Sequence, residues 1–311
     1  MRMFTLALAQ MAGINTEDTR EAVVGRMLAM FEKAAAGGAD LVVFPELTLT
    51  TFFPRTYRED VSTADEYYET AMPNPAVQPL FDFAKEHEVG FSFGYAELTE
   101  DGHRFNTQIL VDKTGEIVGK YRKIHLPGHL EHIPDAPYQH LEKSYFEVGD
   151  LGFGVFDFHG VEVGMLICND RRWPEAYRTL ALQDVDVIVI GFNTPDQSPG
   201  GDEQPHLAMF HHLLSCQAGA YQSSAWVGTV AKCGYEDGHH MIGGTAIIAP
   251  TGEIVSRVFD EKDSVILSDI DLTLGDFYKN GTFRYEIHRR PETYGLLTER
   301  TGRGEPLPVE F

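Results

Sequence analysis

Cysteine is scarce in this chain. Only three occur in 311 residues, Cys168, Cys216 and Cys233. The count is odd and no pair has CxxC spacing, so the pattern does not favour a disulfide scaffold. Isolated thiols are typical of proteins kept in a reducing compartment, and we expect a cytoplasmic location.

Basic residues and long apolar runs are also lacking. Lysine and arginine total 25 against 47 acidic residues, which leaves a formal net charge of −22. Such a chain repels nucleic acid and anionic lipid, so we expect neither as a partner. No apolar run approaches the length of about 18 residues that predicts a membrane span. The N-terminal apolar stretch is short and is interrupted by Gln10, which favours a first strand over an export signal.

Motifs for metals and nucleotides are missing as well. Thirteen histidines are present, but neighbours such as His211-His212 and His239-His240 point to different faces of an element and rarely bind one ion. There is no HExxH motif, no Cys–His zinc spacing and no GxGxxG or Walker motif. We therefore predict neither a metal site nor a nucleotide-binding site.

Apolar periodicity instead predicts alternating strands and helices. The predicted helices are 16–36, 76–88, 174–182 and 207–221. The predicted strands are 4–10, 41–44, 90–96, 107–111, 116–122, 152–158, 161–168, 185–192, 225–231, 244–248, 253–258 and 265–271. This order favours a layered α/β fold with mixed sheets. We expect one domain over residues 1–274 and a C-terminal arm over 275–311, packed on the surface or on a neighbouring subunit.

Three chemically active residues stand just after predicted strands. Glu46 follows strand 41–44, Lys123 follows strand 116–122, and Cys168 ends strand 161–168. Active-site groups in α/β sheets gather beyond the carboxyl ends of strands, so these three could share one pocket. Taken singly, each has an ordinary explanation as a solvated glutamate, a surface lysine or a packed cysteine.

The residues after Cys168 suggest a role for its sulfur. Arg171 and Arg172 follow within four positions, and Pro174 suits the first turn of a helix. Nearby guanidinium groups and backbone N–H groups favour a thiolate, so we predict a lowered thiol pKa. The thiolate would attack a carbonyl-type carbon, while Lys123 and the N–H of Asn169 stabilise the oxyanion. Glu46 would move the protons and activate water.

These segments resemble the three signature blocks of the nitrilase superfamily, the carbon–nitrogen hydrolases, in the same order. The blocks are Val43-Phe-Pro-Glu46-Leu-Thr-Leu, Gly119-Lys-Tyr-Arg-Lys123-Ile-His-Leu-Pro and Ile167-Cys168-Asn-Asp-Arg-Arg-Trp-Pro-Glu175. Further stretches resemble the N-carbamoyl-D-amino-acid amidohydrolases: Thr50-Thr-Phe-Phe-Pro-Arg55, the segment from His140 to Asp150, Asn193-Thr-Pro195 and the segment from Phe210 to Gly219.

The resemblance implies a four-layer αββα sandwich that assembles as a homodimer or homotetramer and uses a Glu–Lys–Cys triad without a cofactor. It places the triad at Glu46, Lys123 and Cys168, with Glu142 as a further pocket carboxylate. It implies that Arg171, Arg172 and Thr194 bind a substrate carboxylate, in line with the preference of arginine for planar anions. Asn169, Asn193, His129 and His140 complete the expected pocket. A salt bridge to Asp170 or Glu175 is the alternative role for the two arginines.

The resulting hypothesis is hydrolysis of N-carbamoyl amino acids, of the D series, through a thioester. Alternatives are another amidase of the superfamily (a β-ureidopropionase-like enzyme, an aliphatic amidase or a nitrilase), a silent binding protein on the same fold, and a metal hydrolase. Two stretches depart from the resemblance, Leu130–Pro137 and Ser198-Pro-Gly-Gly-Asp202. Both are expected to flank the pocket, so they bear on side-chain preference rather than on the chemistry.

Overall fold

Two β-sheets lie face to face, and each is covered by helices on its outer side. The structure is a computed structural model that describes residues 1–136, 138–197 and 204–303. The strands are β1 Met3–Ala12, β2 Leu41–Val43, β3 Tyr68–Glu69, β4 Gly90–Leu98, β5 Arg104–Val111, β6 Ile117–Arg122, β7 Val155–Phe158, β8 Val161–Ile167, β9 Val187–Phe192, β10 Trp226–Glu236, β11 His239–Ile242, β12 Ala246–Ile248, β13 Ile254–Arg257 and β14 Ser264–Asp271. The helices are α1 Arg20–Ala36, α2 Gln78–His87, α3 Glu142–Tyr145, α4 Pro174–Ala181, α5 Pro205–Ser223, α6 Thr273–Lys279, α7 Tyr285–His288 and α8 Leu296–Glu299.

The first sheet has the order β6-β5-β4-β2-β1-β14, and the second has the order β7-β8-β9-β10-β12-β13. The two sheets are connected where β1 and β10 pair in parallel, at Met11 with Lys232 and Ala12 with Cys233. Apolar side chains from both inner faces form the central core, including Leu8 and Met165. Helices α1 and α2 cover the first sheet, and α4 and α5 cover the second. The predicted αββα sandwich is therefore confirmed.

The direction of the strands places the functional residues. Strand β2 runs parallel to β1 and β4, and β6 runs the same way because it is antiparallel to β5, which is antiparallel to β4. Strand β8 runs parallel to β9, β9 to β10, and β10 to β1. The carboxyl ends of β2, β6 and β8 therefore point toward the same edge of the sandwich.

Two element boundaries differ from the sequence prediction for clear reasons. Helix α1 begins at Arg20, because the side chain of Thr19 caps it by accepting a hydrogen bond from the N–H of Ala22 at 3.2 Å. Strand β10 continues past Ala231 to Glu236. Its continuation carries two fully buried charges, Lys232 and Glu236, which pair with each other at 3.0 Å. That pair interrupts the apolar pattern without interrupting the strand.

The last described residues pack on the outer side of α4 and α5. The hydroxyl of Tyr285 donates to the carbonyl of Gln222 at 2.6 Å, and the guanidinium of Arg178 lies 4.3 Å from the centre of the Tyr285 ring. The division into a domain and an arm stays a prediction. The Ser198–Asp202 stretch, Pro137 and residues 304–311 lie outside the described residues. Within the described part of the chain, no helix is both long and apolar enough to cross a bilayer.

Candidate active site

Lys123 is held between two carboxylates. Its Nζ lies 2.7 Å from Glu46 Oε1 and 2.6 Å from Glu142 Oε2, and all three side chains are completely buried. Asn106 Nδ2 also donates to Glu46 Oε1, at 2.8 Å. These bonds fix the ammonium group and leave it no freedom to turn toward solvent.

The two carboxylates respond differently to this environment. Burial raises the pKa of Glu46, and the charge of Glu142 raises it further, although Lys123 opposes both. Burial also acts to raise the pKa of Glu142, but Lys123 and His140 outweigh it and lower that pKa. His140 contributes a hydrogen bond from Nε2 to Glu142 Oε1 at 2.9 Å. Glu142 is thus the permanent counter-charge of Lys123, whereas Glu46 is the carboxyl that more readily takes a proton.

Cys168 stands at a sharp turn. It is the first residue of the 3-10 helix Cys168–Arg172, directly after β8, and its φ is +48°. A cysteine rarely adopts this left-handed conformation, and such strain collects at functional sites. The thiol donates to the carbonyl of Asn193 over 3.6 Å, and Arg171 Nη1 lies 3.7 Å from the sulfur.

Asn193 connects the cysteine to the carboxylate. Its N–H donates to Glu46 Oε2 at 3.0 Å, and its side-chain Nδ2 donates to the carbonyl of Glu46 at 2.9 Å. Two glycines make room for this arrangement. A methyl group on Gly94 would lie 2.8 Å from the Cα of Glu46, and one on Gly191 would lie 2.7 Å from its nitrogen. The structure therefore brings together the three residues that the sequence predicted as a triad.

The state of the thiol differs from the sequence prediction. Burial raises the pKa of Cys168, the charge of Glu46 adds to this, and Lys123 and Arg171 oppose it only in part. The sequence suggested a lowered pKa because it showed the arginines but not the complete burial of the sulfur. The raised pKa favours the thiol over the thiolate.

Arg171 is engaged inside the protein. Its guanidinium donates to the carbonyl of Cys168 at 2.6 Å and to Thr194 Oγ1 at 2.8 Å, while its Nε donates to His212 Nδ1 at 3.0 Å. It uses neither Asp170 nor Glu175, the partners of the alternative interpretation. Because Arg171 is almost wholly buried, it holds the Cys168 turn and Thr194 in place, and we assign the binding of a substrate anion to other cations.

A cavity of about 340 Å³ opens beside Cys168. It is lined by Leu126, Pro127, Gly128, His140, Lys143, Cys168, Asn169, Arg171, Arg172, Trp173, Asn193, Thr194, Pro195 and Gln197. The volume is at the small end of the range for ligand pockets, about 300–1,000 Å³. Glu46 and Glu142 are not in the lining but bond to Asn193 and His140, which are, and Lys123 bonds to both carboxylates.

His129 is placed differently from the prediction. It is not among the residues that line the cavity, and its Nδ1 is bonded to the carbonyl of Glu131 at 2.6 Å. It reaches the site only through its backbone, whose N–H donates to the carbonyl of His140 at 3.0 Å. The sequence could not show this, because both histidines lie in irregular chain without a periodicity that orients side chains.

Several residues of the site were not predicted from the sequence. Asp170, which is completely buried, accepts hydrogen bonds from Tyr121 at 2.8 Å, from the N–H of His125 at 2.9 Å and from the N–H of Ile167 at 3.1 Å. It thereby ties the Cys168 turn to the segment after Lys123. The ring of His125 stacks on Trp173 with 4.9 Å between centroids. Asn106, His212 and Lys143 were missed because nothing in their local sequence marks them.

Within the described ranges, no group of three histidine, cysteine, aspartate or glutamate side chains is arranged to hold a metal ion.

Comparison with known proteins agrees with this geometry. Residues 5–280 match the carbon–nitrogen hydrolase family. The chain belongs to this family. An N-carbamoylputrescine amidase from Solanum tuberosum is 29% identical over 97% of each chain. A nitrilase from Pyrococcus abyssi is 32% identical over 79% of this chain and 82% of its own length. A crystal structure of a carbon–nitrogen hydrolase from Helicobacter pylori G27 superposes with a TM-score of 0.81, at 20% identity, and covers 96% of this chain and 99% of that one.

The predicted membership of the nitrilase superfamily is thus confirmed, and this carbon–nitrogen hydrolase acts on amide-type bonds. These relatives are similar over most of their length. The substrate in the name of the Solanum tuberosum relative, N-carbamoylputrescine, differs from the predicted N-carbamoyl-D-amino acid.

Proposed function

We propose that this carbon–nitrogen hydrolase converts N-carbamoyl amino acids to the free amino acid, ammonia and carbon dioxide. One observation carries the proposal: the cavity beside Cys168 is lined by Arg171, Arg172, Lys143 and His140, and by no carboxylate among the described residues. A substrate with a carboxylate gains attraction there, whereas an ammonium group meets no counter-charge among the described lining residues. The preference for the D series is based on the sequence blocks that resemble D-carbamoylases.

The first half of the reaction forms a thioester. Glu46 takes the thiol proton of Cys168, and the sulfur attacks the ureido carbon of the substrate. The raised pKa of Glu46 suits this step, because it makes the carboxylate a stronger base toward the thiol proton. Lys123 and the N–H of Asn169 stabilise the oxyanion. Glu46 then returns the proton to the departing nitrogen, and departure of either nitrogen leaves a thioester on Cys168.

The second half of the reaction hydrolyses the thioester and restores the free enzyme. Glu46 takes a proton from water, whose oxygen attacks the thioester carbon, and the proton then returns to the sulfur as the carbon–sulfur bond breaks. The product is a carbamic acid, which loses carbon dioxide and releases the nitrogen that did not depart in the first half, as the amino acid or as ammonia. The same carboxylate thus acts as base and acid in both halves, while Glu142 keeps Lys123 in place.

The side chain of Asn193 suits an amide substrate. Its Nδ2 is committed to the carbonyl of Glu46, and its Oδ1 is buried without a hydrogen-bond partner in the described structure. A buried acceptor left unpaired costs roughly 1–3 kcal/mol. We assign to Oδ1 the acceptance of a hydrogen bond from a ureido N–H, which an ester oxygen could not supply.

The test is substrate profiling with release of ammonia as the readout. N-carbamoyl-D-amino acids, their L enantiomers, the corresponding N-carbamoyl amino amides and simple aliphatic amides are compared on the same preparation. We expect turnover of the carboxylated compounds and preference for the D forms. Equal turnover of uncharged aliphatic amides would contradict the proposal.

Replacement of Arg172 tests whether this residue binds the substrate carboxylate. Arg172 is exposed at the cavity, so Arg172→Ala should leave the fold intact and raise KM for carboxylated substrates by about 10-fold or more, the equivalent of one charged hydrogen bond. The KM for the neutral amino amides should change much less. A uniform change for both classes would assign Arg172 a structural role instead.

Hydrolysis of N-carbamoylputrescine is the second candidate, because relatives from several plants carry that name. That substrate has a primary ammonium group at neutral pH, and the basic lining of the cavity opposes it. Including N-carbamoylputrescine in the substrate panel decides between the two candidates directly.

We also propose a homodimer or homotetramer in the cytoplasm. The C-terminal helices expose large apolar side chains, among them Phe277, Leu296 and Leu297, which suits burial against a second copy. The three free thiols suit a reducing compartment. Light scattering of the purified protein, with a chain truncated after residue 294 as the comparison, tests the assembly; a monomer under all conditions would contradict it.

A further inference from the structure

Lys143 is the one lysine that lines the cavity beside Cys168. Lys143 follows Glu142 directly, but the two side chains lie in different environments. Glu142 is fully buried and bonded to Lys123 and His140, whereas Lys143 is exposed on the cavity side of helix α3. Within the described part of the chain, no carboxylate pairs with Lys143.

The backbone that carries Lys143 is firmly held. The N–H of Leu141 donates to the carbonyl of Pro54 at 3.0 Å, and the N–H of Phe146 donates to the carbonyl of Glu142 at 2.8 Å. The hydroxyl of Tyr145 donates to the carbonyl of Thr56 at 2.5 Å. The base of the Lys143 side chain is therefore fixed, and only its methylene chain moves.

The cavity needs such a cation because the whole protein is strongly acidic. A formal net charge of −22 repels an anionic substrate at long range. The donors of Arg171 are bonded to Cys168, Thr194 and His212. Arg171 therefore contributes positive charge to the cavity but no donor for the substrate. Arg172 comes from the Cys168 turn on one wall of the cavity, and Lys143 comes from α3 on another.

From this arrangement we propose that Lys143 is a specificity-determining residue that captures the carboxylate of the substrate together with Arg172. This inference is based on the proposed function. Lys143 acts as a mobile point charge at the rim, which draws the anion into the cavity and retains it while Arg172 orients it. Charges at a rim mainly affect the rate of association, so the effect belongs to kcat/KM rather than to kcat.

The experiment compares Lys143→Gln, Lys143→Glu and Lys143→Arg with wild type. Each is assayed on an N-carbamoyl-D-amino acid, on its neutral amino amide and on N-carbamoylputrescine. Lys85→Glu is the matched control, because Lys85 is exposed on α2 at the outer face of the sandwich and its replacement changes the net charge equally. Thermal unfolding of every variant checks that the fold is retained.

We expect Lys143→Gln to lower the ratio of kcat/KM for the acid to that for the amide by about three- to fivefold, the scale of an exposed ion pair. Lys143→Glu should lower it by about 10-fold or more and should raise the relative rate on N-carbamoylputrescine. Lys143→Arg should keep the wild-type ratio, and Lys85→Glu should not move it. The ratio of wild type should also fall toward that of Lys143→Gln as salt is added.

Two results overturn the inference in distinguishable ways. If wild type hydrolyses N-carbamoyl amino acids but Lys143→Gln and Lys143→Glu keep the wild-type ratio, Lys143 is only a solvated surface residue and the proposed function stands. If wild type hydrolyses no carboxylated ureido compound, the proposed function fails and the inference fails with it.

Discussion

At the scale of single residues, the site depends on how burial changes three ionisable groups. Cys168 and Glu46 both have raised pKa values because both are removed from water and lie near other negative charge. Burial acts to lower the pKa of Lys123, but the negative charges around it, those of Glu142 and Glu46 among them, outweigh burial and raise that pKa. The result is a fixed cation between two carboxylates and beside a thiol, an arrangement that suits acyl transfer.

Replacement of the nucleophile should separate binding from chemistry. Cys168→Ala removes the sulfur without adding bulk, so turnover should be abolished while substrate binding persists. Calorimetric titration with an N-carbamoyl-D-amino acid measures the binding, and ammonia release measures the turnover. Residual turnover within 10-fold of wild type would exclude Cys168 as the nucleophile.

The raised thiol pKa predicts the pH dependence of alkylation. Iodoacetamide reacts with the thiolate, so the rate of labelling at Cys168 should keep increasing as the pH rises above the ordinary range of a thiol pKa. Mass spectrometry of the labelled peptide separates Cys168 from Cys216 and Cys233. A rate that is already constant at neutral pH would show a lowered pKa, as the sequence alone had suggested.

Removal of the buried ammonium should affect both catalysis and stability. Lys123→Ala should lower kcat by about 100-fold or more, as the loss of an oxyanion donor does. It also leaves Glu46 and Glu142 as buried carboxylates without their cation, so the folded-state pKa of Glu46 rises further above its unfolded value. A raised carboxylate pKa stabilises the fold only while the group is protonated, so the deficit in stability should shrink as the pH falls.

Urea unfolding of Lys123→Ala and wild type at several pH values measures that deficit. The double variant Lys123→Ala with Glu142→Gln is measured for comparison, since it removes one of the two buried carboxylates that Lys123→Ala leaves without a cation. It should recover part of the stability at neutral pH and none of the activity. A deficit that grows on acidification would contradict the assignment of Lys123 as the partner of both carboxylates.

At the scale of elements, close approach of backbones positions the acid–base residue. The Glu46 turn follows β2 and lies between β4 of the first sheet and β9 of the second. Both strands present a glycine to it, Gly94 and Gly191, because a Cβ at either position would lie within 3 Å of the Glu46 backbone. Backbone atoms cannot move aside as a flexible side chain can, so these two positions tolerate no larger residue without displacement of Glu46.

Gly191→Ala should therefore lower kcat strongly, by about 10-fold or more, because displacement of a catalytic group by about 1 Å costs up to 100-fold. Gly25→Ala in α1 is the control, since a methyl group there meets nothing within 4 Å. It should leave kcat unchanged and stabilise the fold by roughly 0.5–1 kcal/mol. Wild-type kcat in Gly191→Ala would show that the Glu46 turn adapts.

At the scale of the whole molecule, a buried ionic network lies at the junction of the two sheets. Glu236 at the end of β10 is fully buried and accepts hydrogen bonds from Arg55 at 3.0 Å, from the N–H of Phe52 at 2.7 Å and from the N–H of Ile14 at 2.9 Å. It also pairs with Lys232 at 3.0 Å. Glu236 thereby ties β10 to the segments after β1 and after the Glu46 turn.

Loss of this carboxylate should lower the free energy of unfolding of the whole protein. Glu236→Ala leaves Lys232 buried without its carboxylate partner and removes from Arg55 one of its two carboxylate partners, the other being Asp237. Breaking a buried pair in this way costs about 3–5 kcal/mol. Urea unfolding measures the loss. Glu17→Ala, which removes an exposed carboxylate, is the control, and its loss of stability should be near zero. A loss below about 1 kcal/mol for Glu236→Ala would mean that the network contributes little.

The sequence was sufficient for most elements and for the prediction that Glu46, Lys123 and Cys168 lie in one site. Periodicity predicted α1, α2, α4 and α5 and most strands to within a few residues, because side-chain burial on regular elements repeats in the chain itself. The order of Glu46, Lys123 and Cys168 after strands, together with the surrounding signature blocks, indicated the family. Features without a period were missed, among them α3, β11 and the continuation of β10 through Lys232 and Glu236.

By itself, then, the amino-acid sequence determined the class of fold and the family and predicted the nucleophile, since these follow from local patterns. The tertiary structure alone decided the direction of the Cys168 pKa shift, the internal hydrogen bonds of Arg171, the contact of the His129 ring with Glu131 and the presence of Lys143 in the cavity lining. The physical reason is that a pKa, a cavity lining and a hydrogen-bond partner depend on atoms brought near by folding, and those atoms come from residues far apart in the chain.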